Sequence, residues 1–149
     1  MKILQIIPTL GSGGAERFTV DLCNELVEQG HEVVLCTLYN LNAKKEYSFF
    51  KKEVKSDVKL INCNKKLGFD FTLFFKLFKL IKKEQPQVVH SHLSVLNYML
   101  LAVFLIKNRY IHTLHNDAFK LLKNKGEYWL RKIVYSGKWV QPICISEES

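Results

Sequence analysis

Short apolar runs recur along this chain, each followed by a stretch with helical spacing, and that alternation restricts the fold more than any other feature. Ile3-Leu4-Gln5-Ile6-Ile7, His31 to Leu38, Val58 to Cys63, Val88-Val89-His90, Tyr110 to Leu114 and Val140 to Ile145 read as six strands. Most are continuous apolar runs, as expected of strands buried on both faces. Between them the spacing predicts helices over 15–29, 71–83, 93–106 and 125–135, with a short one near 44–52. The first carries Phe18, Leu22 and Leu26 four apart, and Gly30 supplies its stop. Pro86 ends the second. Strand–helix alternation with apolar strands predicts an α/β domain built on a parallel sheet. Right-handed crossovers make that sheet a Rossmann-like doubly wound one. A chain of 149 residues, 48% of them apolar, is long enough for one domain with a true core.

The net charge of +8 suits nucleic acid, an anionic membrane or phosphorylated ligands. Nucleic acid is the poorest of these, because the lysines are spread over helices and loops without an RNA-binding or helix-turn-helix signature. Cys23, Cys36, Cys63 and Cys144 form no C-x-x-C pair and no zinc spacing, and read as buried free thiols of a reducing cytosol. No segment reaches the roughly 18 apolar residues of a membrane span. The expected location is therefore cytoplasmic, with membrane contact only at the inner surface. For that contact the 71–83 helix is the candidate. Thr72, Lys76, Lys79 and Lys83 form a polar stripe, with Lys82 beside it and Lys65 and Lys66 upstream. The other reading is an ordinary cover helix with solvated lysines.

In a doubly wound sheet, ligands bind at the carboxyl ends of the strands. Four polar segments fall there: Gly11-Ser12-Gly13-Gly14-Ala15-Glu16-Arg17, His90-Ser91-His92, His112-Thr113-Leu114-His115-Asn116-Asp117 and Ser146-Glu147-Glu148. Gly13 and Gly14 let backbone N–H groups approach a phosphate at a helix start, or else form a plain strand-to-helix turn. No Gly-Lys-Ser/Thr ending marks a P-loop. Glu16 replaces the third glycine of a dinucleotide fingerprint, and no acidic residue ends the second strand. Arg17 reaches either an anionic ligand or Asp21. His115 can bond a sugar hydroxyl, exchange a proton near neutral pH, or simply cap its loop. Alternation along the strand is expected to send one of His90 and His92 to the sheet and the other, His92, to the crevice. Too few further ligands accompany them for a metal site. Ser146-Glu147-Glu148 looks like a helix start that the sequence does not continue, as in a fragment of a longer protein.

MKILQIIPTLGSGGAERFTVDLCNELVEQGHEVVL, PQVVHSHL, IHTLHN and ICISEES, in that order, resemble the family 4 group of retaining GT-B glycosyltransferases. The resemblance implies that residues 1–149 are the N-terminal, acceptor-side half of a GT-B fold. The C-terminal donor-binding domain would then be absent and the fragment inactive alone. It implies transfer of a sugar, with retention, from a nucleotide-sugar to a saccharide or lipid-linked saccharide, in cell-surface polysaccharide biosynthesis. His115 would stand at the reacting centre, Gly13 and Gly14 near a donor or acceptor phosphate, and Arg17, His92 and Asn116 on the acceptor side. No metal or resident cofactor is implied. The alternative is a non-catalytic binding module or truncated remnant of the same fold.

Overall fold

The computed structural model describes residues 1–115 and 125–145. Six parallel strands form one sheet in the order β3-β2-β1-β4-β5-β6. They are β1 (Lys2–Ile7), β2 (Glu32–Thr37), β3 (Lys59–Asn62), β4 (Val88–His92), β5 (Arg109–Leu114) and β6 (Val140–Cys144). The chain builds outward from β1 to β3, then returns and builds the other way from β4. Its direction reverses between β1 and β4, and their carboxyl ends open the crevice that such a reversal creates.

Helix α1 (Gly14–Glu28) covers one face and α2 (Thr72–Glu84), α3 (Leu100–Leu105) and α4 (Lys125–Ser136) the other. The period-two geometry of the strands divides the core accordingly. Leu4, Ile6, Val34, Cys36 and Val89 pack with Leu73, Leu77, Ile81 and Val134 on the α2–α4 face. Ile7, Val33 and Leu35 pack with Val20 and Cys23 of α1 on the opposite face. Leu73, Leu77, Ile81 and Glu84 follow the helical repeat on the buried stripe of α2. Glu84 tolerates burial because Lys2 and Lys59 pair with it at 3.0 and 2.8 Å, which also holds its carboxyl below the usual range.

Several sequence expectations need correction. The buried stripe of α1 is Thr19, Val20 and Cys23; Phe18 is 41% exposed. Leu26 packs against that core and Leu22 is half-buried, so of the three residues spaced four apart only Phe18, in the first turn, stands exposed. Gly30 does stop α1, at φ +86°. Region 44–52 forms two short 3₁₀ turns, Lys45–Ser48 and Lys51–Glu53. Region 93–106 is divided between a 3₁₀ segment, Leu93–Tyr98, and α3. Leu93 itself takes a left-handed φ of +56°, an uncommon state for a branched side chain, which turns the chain sharply after β4. Of the cysteines, Cys144 is exposed and Cys63 half-buried, its Sγ 3.4 Å from that of Cys36. The helix start expected at Ser146-Glu147-Glu148 lies outside the described residues.

Candidate functional site

Gln5 is the one polar side chain of β1 between apolar neighbours, and it sits in register beside His90 of β4. Its Oε1 accepts a hydrogen bond from His92 Nε2 at 2.8 Å. That bond leaves His92 Nδ1 as an acceptor, and His115 Nε2 donates to it at 2.9 Å. A directed chain therefore runs His115→His92→Gln5, and the other ring nitrogen of His115 is an acceptor that no described residue engages. Phe18 of α1 lies edge-on to both rings, 6.1 Å from His92 and 5.5 Å from His115.

His90 and His92 lie on the same face, their rings 4.2 Å apart, because residues two apart on a strand point the same way. The expected division between sheet and crevice is thus wrong. His90 Nε2 meets Thr113 Oγ1 at 2.7 Å, and His92 is fully buried. Burial, reinforced by neighbouring imidazoles, pushes His90 down to about 4 and His92 to about 2, so both are neutral near pH 7. His115, half-buried, is also lowered by burial.

A cavity of about 740 Å³ opens above this chain, lined by Gly13, Gly14, Ala15, Glu16, Phe18, Leu93, His115 and Ile145. Gly13 caps α1 without a side-chain hydrogen bond, so the first N–H groups of the helix have no side-chain acceptor at the cap. Glu16 brings a carboxylate into the same wall, which opposes an anion at the turn. Gly13, Gly14 and His115, about a hundred residues apart, share this cavity. Arg17 does not line it: its guanidinium donates to both Asp21 oxygens at 2.8 and 2.6 Å, pairs with Glu53, and lies 5.3 Å from the Phe50 ring centre. That is the Asp21 pairing of the two readings open in the sequence. Asn116 falls outside the described residues.

On the other face of the sheet stands a second polar group that the sequence reading missed. Arg131 of α4 is buried, and its Nη1 donates to His112 Nε2 at 3.2 Å. His112 Nδ1 then donates to Ser91 Oγ at 2.9 Å, and Ser91 donates to the Ile111 carbonyl. Burial, then the Arg131 charge, drives His112 down to about 3, so it is neutral. Pro8, Leu93, Ser94, His112, Thr113, Leu114, His115, Glu127 and Arg131 enclose about 310 Å³ here. A cation on the inward stripe of α4, in helical step with Val134, was the available signal.

Taken together, the fold and these groups define a doubly wound α/β domain with a polar crevice at its topological switch point. Residues 12–148 match Glycosyltransferase Family 4, and the chain belongs to that family. It is 33% identical, over 150 aligned positions, to GalNAc-alpha-(1->4)-GalNAc-alpha-(1->3)-diNAcBac-PP-undecaprenol alpha-1,4-N-acetyl-D-galactosaminyltransferase of Campylobacter jejuni subsp. jejuni serotype O:2. That alignment takes in 97% of this chain and 38% of the relative. A crystal structure of a glycosyltransferase from Rickettsia africae ESF-5 superposes with a TM-score of 0.59 at 20% identity, covering 97% of this chain and 42% of that one, and shares the fold. The chain thus spans about two fifths of either protein's length.

Proposed function

We propose that this chain is the acceptor-side half of a GT-B glycosyltransferase, passing a sugar with retention from a nucleotide-sugar to a saccharide on a lipid diphosphate, and needing a donor-binding half for turnover. The supporting observation is the single cavity shared by the Gly13–Gly14 turn and His115. Backbone N–H groups at a helix start donate to sugar or phosphate oxygens, and the acceptor nitrogen of an imidazole takes a hydrogen bond from a sugar hydroxyl. Gln5 and His92 act behind them, fixing the ring of His115. The curated relative, which acts on an undecaprenol-linked saccharide, supplies the substrate class. Titrating the labelled 149-residue chain with a short N-acetylgalactosamine oligosaccharide should shift the Gly13, Gly14 and His115 resonances. Shifts confined to other faces of the domain would reject the reading.

A lipid-linked acceptor places the enzyme at a membrane surface. Among the described residues, no helix is long and apolar enough to cross one. Leu67, Phe69, Phe71 and Phe75 are 59–77% exposed at the start of α2, and Lys66, Lys79 and Lys83 are exposed close by in sequence. Lys65 and Lys76, by contrast, are tied to Tyr39 and the Cys63 carbonyl. We infer that the aromatic group, more than the lysine stripe, seats in an anionic bilayer surface. The chain should co-sediment with phosphatidylglycerol vesicles, and the pair Phe71→Ser and Phe75→Ser should reduce that binding about tenfold. Sedimentation unchanged by the pair would exclude this surface.

A further inference from the structure

Three buried side-chain atoms among the described residues lack a hydrogen-bond partner: Asn97 Oδ1, Arg131 Nε and the Tyr135 hydroxyl. All three belong to one neighbourhood. Glu127, Arg131 and Tyr135 follow one another at four-residue steps on α4, and Asn97 Nδ2 donates to Glu127 Oε1 at 2.6 Å. Folded domains seldom leave buried polar atoms unpaired, and a cluster of them calls for an explanation.

Arg131 is the most demanding of the three. Only 8% of it is exposed, and its partner His112 is neutral. Among the described residues no carboxylate pairs with it. Glu127 stands in the same cavity wall, but it is engaged by Asn97 and forms no ion pair with the guanidinium. Among the described residues the buried guanidinium meets the neutral groups His112 and Tyr135 and no paired carboxylate, a costly arrangement unless an anion completes it. Burial raises the Tyr135 hydroxyl, and the Arg131 charge, with a loose contact to the guanidinium, opposes that rise.

We propose that the cavity between Arg131, His112, Ser94 and Glu127 seats a phosphoryl group carried on a saccharide, with Arg131 as its counter-ion. Guanidinium geometry matches phosphoryl oxygens through paired N–H donors. Glu127 accepts hydroxyl hydrogens and repels a bare polyanion, so it selects a phosphate that brings a sugar with it. Among the described residues the neighbouring glycine-turn cavity has no cation in its lining and has Glu16 in its wall, which leaves Arg131 as the stronger of the two anion seats. The saccharide component rests on the acceptor-side reading above; the anion component rests on the geometry of Arg131 itself.

The test follows the Arg131 Nε–H signal by NMR during titration with glucose 1-phosphate, inorganic pyrophosphate and glucose. Glucose 1-phosphate should move it at millimolar concentration, pyrophosphate more weakly, and glucose alone not at all. An unmoved signal in the first two titrations, or an equal response to glucose, overturns the proposal. A stronger response to pyrophosphate keeps an anion site but removes the selectivity assigned to Glu127. Arg131→Met supplies a second readout. With no ligand its Tm should equal or exceed that of the parent chain, because an uncompensated buried charge is gone, and glucose 1-phosphate should no longer raise it. A lowered Tm with the phosphate response intact would make Arg131 a structural residue. If the variant does not fold, the titration of the parent chain decides alone. Silence at Gly13, Gly14 and His115 in the oligosaccharide titration would sink the acceptor-side reading while leaving the Arg131 signal to report the anion site independently.

Discussion

Between about pH 7 and pH 5.5 the chain is expected to lose about 4 kcal/mol of folding stability, seen as a fall in Tm of about 10 °C. His90, His92 and His112 are held neutral in the folded state, at about 4, 2 and 3, whereas an unfolded histidine titrates near 6.5. As pH drops through that window the unfolded chain takes up protons that the folded chain refuses. Each such proton tilts the balance by about 1.4 kcal/mol per pH unit, always toward unfolding. The carboxylates act lower. Asp70, drawn down to about 2 by its bonds with Thr72 and the Lys66 amide, loses its contribution only below the ordinary carboxylate range. His90→Asn should flatten the slope of Tm against pH by about a third, because one of three refused protons is removed. A Tm unchanged from pH 7 to 5.5 would mean that the cluster accepts charge.

Gly14→Val should lower transfer by the complete enzyme at least about a hundredfold while leaving the domain folded. A Cβ at Gly14 meets nothing within 4 Å, so the added side chain causes no clash. Gly13 to Glu16 line the cavity, so on the proposed reading a branched side chain at position 14 stands beside the turn that a ligand oxygen must approach. Position 14 starts the helix with an ordinary backbone, so the stability change should stay within about 0.5 kcal/mol. Gly13 is a poorer choice, because a Cβ would fall 2.3 Å from the Glu16 carboxylate and the two effects would mix. Oligosaccharide shifts at His115 in the isolated variant should also weaken about tenfold. Undiminished transfer would remove the turn from the site.

The order of elements was readable because apolar runs such as Val33 to Cys36 and Ile3 to Ile7 have few other uses than buried strands. Proline and glycine marked the stops, at Pro86 and Gly30. What the sequence concealed was facing. Phe18 looked like core by spacing and turned out to be the aromatic edge of the crevice. His90 and His92 were read as opposed although strand geometry sends them the same way. Arg131 passed unnoticed since a charged residue on an amphipathic helix is usually solvated, and only the fold brings it against His112, 19 residues away. Gln5 was visible as a polar interruption of β1, but its partner lies 87 residues away. Site chemistry depends on such long-range pairings, which local pattern does not encode.

Leu93 carries a consequence of its own. Its left-handed turn puts one side chain in the walls of both cavities, next to His115, which borders both as well. A substitution at Leu93 or His115 would therefore alter the lining of both chambers at once. A ligand long enough to enter both would have to cross that leucine between its two ends.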